Sequence, residues 1–289
     1  MSDQAEPLRR GLRRRQWAPE PRTIAVTSGK GGVGKSNVSL NFSLSLSQLG
    51  ARVLLFDMDI GMGNIDILLG QSPSLTLADW VSERMPLAEL VKSGPEQLSY
   101  IAGGTGVMQW LSIDAAGIDE FLAELQTVAS SYDYLLFDMG AGASKEQLYF
   151  LRSVDEVFVV TTPEPTAMTD AYAMMKYMHG SGCQAPFSVI VNRAAKEWEG
   201  HEVFGRLKHA ADRFFNKDIS LLGIVPEDRA VARAVASQTP FLLLEPEAKA
   251  SRVVRQMARR YAPGGKREEE RAGRASRFFA KLRQLLLER

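Results

Sequence analysis

The eight residues Gly29-Lys30-Gly31-Gly32-Val33-Gly34-Lys35-Ser36 satisfy the pattern G-x-x-x-x-G-K-[ST]. They stand between an apolar, β-rich run at 23–28 (TIAVTS) and a segment with helical spacing at 35–49. Strand, glycine loop and helix in that order form the context in which this pattern cradles phosphates. The glycines let the backbone curl so that successive N–H groups face phosphate oxygens, and a helix opening at Lys35 adds the positive end of its dipole. In such a loop Lys35 reaches the β- and γ-phosphates and Ser36 ligates Mg²⁺ through its hydroxyl.

The same rhythm continues along the chain. Further β-rich runs occur at 52–57 (RVLLFD), 133–138 (DYLLFD), 155–161 (DEVFVVT), 187–192 (FSVIVN) and 221–225 (LLGIV), separated by helical segments such as 117–130. Continuous apolar strands, unlike alternating ones, are covered on both faces. The expected fold is therefore α/β, a doubly wound and mostly parallel sheet with helices on both faces, with ligands at the carboxyl ends of the strands. The expected organisation is an arm at 1–22, a phosphate-binding α/β domain at 23–262, a linker at 263–273 and a short amphipathic helix at 274–289. The linker is inferred from APGGKREEERAG after Tyr261, which has too little apolar area to order itself.

Composition narrows the function classes. The 289 residues are 45% hydrophobic and 24% charged, with a net charge of +1, so no global field favours nucleic acid and DNA is not the expected partner. Cys183 is the only cysteine, which excludes an internal disulfide and a multi-cysteine metal site within one chain. No apolar run reaches the roughly 20 residues of a spanning helix, and the arginine-rich start lacks the apolar stretch of a secretory signal. A cytoplasmic protein is expected. His179, His201 and His209 have no metal spacing, and Met168, Met174, Met175 and Met178 are expected in packing, as are Phe241 to Leu244.

Acidic residues close two strands. Asp57-Met58-Asp59 follows VLLF, and Asp138 ends DYLLFD ahead of Gly140-Ala141-Gly142. Carboxylates at these positions face the nucleotide, hold Mg²⁺ or its waters, and orient an attacking water, although strand-end acids also serve as plain caps. Asn216-Lys217-Asp218 lacks the spacer of the guanine-reading motif N-K-x-D and follows a helical segment, so it does not indicate GTP.

The second lysine, Lys30, makes this loop resemble the deviant Walker A of the MinD, ParA and nitrogenase-iron-protein family. That resemblance implies that Lys30 crosses to the nucleotide of a partner subunit, so that ATP joins a homodimer. It also implies that Asp59 positions the attacking water and that Asp57 and Asp138 support the Mg²⁺ shell with Ser36. Asn192-Arg193 and Pro226-Glu227 resemble the adenine-side positions of the family, and Asn37 stands where MinD and ParA usually carry Thr or Ser. The implied cofactors are ATP and Mg²⁺, and the implied activity is slow, regulatory ATP hydrolysis.

The two ends carry separate signals. At 100° per residue Phe278, Phe279, Leu282, Leu285 and Leu286 share about a third of the helix circumference, flanked by Arg277, Lys281 and Arg283, while Leu287 lies off the face. Such a face suits reversible insertion into an anionic membrane surface, or docking on the protein's own core or a partner. At the other end Asp3, Gln4, Ala5, Leu8 and Arg9 resemble the D-Q-A-x-x-L-R signature of the flagellar MinD-like ATPases, the FlhG, FleN or YlxH family, with Pro7 departing from a fully helical form. In that family the segment stimulates the GTPase FlhF. The resemblance implies control of flagellar number and placement at the inner face of the membrane, with FlhF and switch-ring proteins as partners. The alternatives are a ParA-like DNA-partitioning protein using Arg9 to Arg15 and a MinD-type division regulator.

Overall fold

In this computed structural model the described residues are 21–59, 63–72, 75–104, 114–142, 144–262 and 275–288. The arm residues Asp3, Gln4, Ala5, Leu8 and Arg9 and the linker 263–273 lie outside them. The strands are β1 (Arg22–Ser28), β2 (Val53–Met58), β3 (Lys92–Ser93), β4 (Ser99–Ile101), β5 (Tyr134–Ala141), β6 (Glu156–Thr161), β7 (Phe187–Ala194) and β8 (Ile219–Pro226). They form one sheet in the order β3-β4-β2-β5-β1-β6-β7-β8. Every pairing is parallel except that of β3 with β4, a short antiparallel edge that the sequence reading did not anticipate.

The longer helices are α1 (Lys35–Gln48), α2 (Ala115–Ala129), α3 (Lys145–Ser153), α4 (Pro165–Gly180), α5 (Glu197–Phe215), α6 (Arg229–Ala236), α7 (Lys249–Arg259) and α8 (Ala275–Leu287). Every residue of β1, β2 and β6 is buried, which is what their unbroken apolar runs require of strands covered on both faces. Their side chains alternate between two cores. Ala25, Leu54, Phe56, Leu135 and Phe137 join the core beneath α2, α3, α4 and α5. Ile24, Val26, Val53, Leu55 and Leu136 join the core beneath α1 and α7. Met174, Met175, Met178, Phe241 and Leu242 are buried in these cores, so packing accounts for them.

Helix α8 belongs to the first core. Phe278 and Leu282 are fully buried, Leu285 and Leu286 nearly so, and Phe279 packs against the cluster. The Phe278 ring stacks on Phe137 with centroids 5.6 Å apart, and α8 lies across α2 and α3. Lys281 stays exposed, and Arg283 makes a two-pronged ion pair with Asp119 of α2 at 2.7 and 3.1 Å. Of the coverings the wheel allowed, this structure has the protein's own core. Each fully buried side chain of this size contributes roughly 1.5–3 kcal/mol before ordering costs, so the docked helix is held chiefly by its apolar stripe.

Candidate functional site

The glycine loop runs from the end of β1 into α1 at the carboxyl edge of the sheet. Gly34 caps α1 with φ 90°, a left-handed conformation that favours glycine, and a Cβ there would lie 2.3 Å from Asn192 Nδ2. A Cβ on Gly29 would lie 2.2 Å from the Asp170 backbone, so α4 packs directly on the loop. Gly31, Gly32 and Val33 complete the turn, with Val33 buried and both Gly31 and Gly32 exposed. Asn192, near the end of β7, donates from Nδ2 to Val33 O at 2.8 Å and ties the loop to a strand two places from β1 in the sheet.

Lys35 points inward. Its Nζ lies 3.0 Å from Asp138 Oδ1, 3.2 Å from Ser36 Oγ and 3.6 Å from Asp59 Oδ2. Ser39, one turn further along α1, donates from Oγ to the same Asp138 oxygen at 2.7 Å. Asp57 stands opposite Asp138 in the register of β2 and β5. Two carboxylates thus face one ammonium with a third, Asp57, beside Asp138, and the fully buried Asp138 Oδ2 has no hydrogen-bond partner. Surplus negative charge beside an unpartnered carboxylate oxygen and the Ser36 hydroxyl fits a hydrated Mg²⁺, which takes few direct protein ligands.

Asp57 is engaged differently from the other two acids. Its Oδ1 accepts from Asp59 N at 3.1 Å, and its Oδ2 from Asn64 N at 2.8 Å and Ile65 N at 3.1 Å, where the short helix Ile65–Leu68 begins. Burial, reinforced by the Asp138 carboxylate, pushes the Asp57 carboxyl up to about 6 against the pull of those N–H groups. Burial also raises the Asp59 carboxyl, opposed by Lys35 and aided by Asp138. Asp57 therefore organises the backbone after β2, while Asp59 stays in reach of Lys35.

The remaining expected residues also gather at this edge. Arg193 is exposed with φ 56°, and Glu227 N donates to Ala194 O at 3.0 Å, which joins the loops after β7 and β8 that carry Asn192-Arg193 and Pro226-Glu227. Asn37 lies in the first turn of α1, where its carbonyl accepts from Asn41 Nδ2 at 2.8 Å. Lys30 turns outward, its side chain 41% exposed, with Nζ 3.2 Å from Glu164 Oε2 and 3.0 Å from Thr166 Oγ1. Asn216-Lys217-Asp218 follows α5, Asn216 being its left-handed C-cap, so it forms no base-reading strand end.

Sequence reading missed Ser39, Gln147, Glu164 and Thr166. Ser39 was within reach, since it lies four residues after Lys35 on one helix face. Glu164 and Thr166 follow β6 in the manner of the other strand-end loops, but only the β1 and β6 pairing brings them to Lys30.

A family profile described as ParA, NUBPL iron-transfer P-loop NTPase, matches residues 21–262. The antiactivator FleN of Pseudomonas aeruginosa is 35% identical over 237 residues, covering 82% of this chain and 85% of its own length. The flagellum site-determining protein YlxH of Helicobacter pylori is 34% identical over 81% of this chain and 80% of its own. Among solved structures, the septum site-determining protein MinD of Pyrococcus horikoshii, complexed with Mg-ADP, superposes with a TM-score of 0.66 at 26% identity, over 83% of this chain and 96% of that one.

Proposed function

This chain belongs to the ParA/MinD family of P-loop NTPases and is an ATPase, and from that premise we propose that it works as an ATP-gated switch of the flagellar MinD-like kind. The observation that carries the reading is a pair of lysines in one phosphate loop with opposite orientations. Lys35 is buried against Asp138 and Asp59, where it meets the β- and γ-phosphates, and Lys30 is held only by exposed partners, free to reach the nucleotide of a second protomer. The likeness to FleN and YlxH supports a role in flagellar number and placement, with the GTPase FlhF and the switch-ring proteins as partners.

In this reading the loop backbone from Gly29 to Ser36 holds the phosphates, Ser36 and Asp138 hold Mg²⁺ or its waters, and Asn192, Arg193, Pro226 and Glu227 border the base. Bound Mg²⁺ supplies charge neutralisation at the transferring phosphoryl group. Asp59, anchored through the turn that Asp57 organises, orients the attacking water. Lys35 leaves Asp138 for the phosphates when ATP enters. Hydrolysis is slow, because a switch must persist in one state long enough to be read.

The docked α8 is the output. Among the described residues no helix is long and apolar enough to cross a membrane, so attachment is peripheral and uses the same stripe that now faces the core. ATP-driven pairing of two protomers favours release of Phe278, Phe279, Leu282, Leu285 and Leu286 to an anionic surface, with Lys281 at the headgroups. The arm, through Asp3, Gln4, Ala5, Leu8 and Arg9, acts in trans on FlhF. Two assays test the reading. Anionic vesicles should pellet the full chain with ATP and much less with ADP, and a peptide of residues 1–15 should stimulate FlhF GTP hydrolysis. Equal pelleting in both nucleotides overturns the membrane switch, and an inert peptide overturns the flagellar partner.

A further inference from the structure

Gln147 has no part in the phosphate pattern, yet it sits inside the site. It is the third residue of α3, buried to 6% exposure beside Leu148 and Leu151 of the apolar core, where a hydrocarbon side chain would pack at no polar cost. A buried carboxamide is tolerated when both of its ends are bonded, and left unpaired it costs on the order of 1–3 kcal/mol. Assigned so that each end of the amide meets a complementary group, Nε2 donates to Gly142 O at 2.8 Å and Oε1 accepts from Gly140 N at 3.3 Å; in the opposite orientation Oε1 instead accepts from Ser144 N at 3.4 Å and closes the capping box of α3.

That turn follows Asp138 and is wedged between the phosphate loop and Asp59. Gly142 N donates to Ser28 O at 2.9 Å, at the last residue of β1 before the loop. On its other side a Cβ added to Gly140 would meet Asp59 Oδ1 at 3.2 Å and the end of the Gln147 carboxamide at 2.6 Å. Two glycines within three residues leave the turn little conformational restraint of its own, and Gly142 already takes φ 85°. The carboxamide supplies the restraint from a rigid helix end.

We propose that Gln147 is a positioning residue for ATP hydrolysis, clamping the Gly140 to Gly142 turn between β1 and Asp59 so that the Asp59 carboxylate holds its place against the γ-phosphate end of the loop. The inference rests on the ATPase reading of this site. It predicts a loss in the chemical step without a loss of nucleotide affinity, because Gln147 touches neither the glycine loop nor Lys35. A displacement of about 1 Å in a positioned group is enough to cost up to a hundredfold in rate.

The test compares three full-length variants in single-turnover ATP hydrolysis and in MgADP binding. Gln147→Met, unbranched and close in volume, removes both bonds and should lower kcat roughly tenfold with MgADP affinity within about twofold of the parent. Gln147→Glu keeps an acceptor for Gly140 N, loses the donor to Gly142 O, and should fall between. Ser144→Ala removes the hydroxyl that caps α3 at Gln147 N, 3.3 Å away, and so loosens the same helix end while leaving the carboxamide in place. It should lower the melting temperature and keep kcat. The inference is overturned if Gln147→Met retains kcat within twofold, or if Ser144→Ala loses as much rate as the methionine variant. If the methionine variant fails to fold, the glutamate and alanine variants decide by the same comparison. A parent chain that hydrolyses no ATP overturns the ATPase reading itself, an outcome distinct from any that concerns Gln147 alone.

Discussion

Asp57 shows how strongly one residue can be tuned by its surroundings. Three backbone N–H groups stabilise its charged form, but burial beside Asp138 outweighs them and leaves the carboxyl titrating near 6, against 3.8 for an exposed aspartate. The folded chain therefore holds this proton more tightly than the unfolded chain does. The stability it contributes is complete below about pH 4 and is lost as pH rises through about 6, an amount of about 3 kcal/mol. In urea melts without nucleotide, Asp57→Asn should gain on the parent by up to that amount between pH 4 and 7. A constant gap across that range would show that Asp57 does not titrate as its burial requires. At this scale the phosphate loop was legible because its residues are contiguous and their spacing is the mechanism. Gln147 and Glu164 were not, because only the pairing of β1 with β5 and β6 brings the Gly140 to Gly142 segment beside the loop and Glu164 to Lys30.

Helix α8 sets the limit of what a wheel can reveal about an element. Periodicity identified the apolar stripe correctly, and Phe278, Leu282, Leu285 and Leu286 all lie on it, but periodicity carries no information about what covers a stripe. A lipid surface and the groove across α2 and α3 are both apolar, and in this structure the groove is the cover. The ion pair between Arg283 and Asp119 is separable from the stripe, since both groups are exposed and neither belongs to the apolar face. Asp119→Ala should loosen docking while leaving the apolar stripe untouched. The expected result is about threefold more vesicle binding in ADP, with binding in ATP little changed, because an exposed pair contributes modestly. Reduced binding in both nucleotides would mean that Asp119 supports the helix in some other way. The short strands β3 and β4, of two and three residues, escaped sequence reading for a related reason: segments that short lie below any window in which period 2 can be distinguished.

For the molecule as a whole, the alternation of apolar strands and helices was sufficient to specify the doubly wound sheet, because burial on both faces leaves its mark on the long strands at the centre of a parallel sheet. The proposed pairing would leave no such mark, since a surface that pairs only when nucleotide is bound must remain polar when it is not. Lys30 is the point at which pairing can be tested. Its contacts with Glu164 and Thr166 lie at the surface, and exposed pairs of this kind are worth no more than about 1 kcal/mol, so exchanging them for a triphosphate on a second protomer costs little. The contacts that build the loop do not need the Lys30 side chain: they are the Asn192 bond to Val33 O, the close packing at Gly34 and Gly29, and the Ser28 Oγ bond to the Lys30 carbonyl. Lys30→Ala should therefore fold normally and bind MgADP as the parent does. In ATP it should remain monomeric in light scattering, under conditions where the parent doubles in mass, and ATP-dependent vesicle binding should disappear with the dimer. Should the variant pair in ATP as readily as the parent, the lysine does not cross between protomers, and the nucleotide would have to join them through other groups.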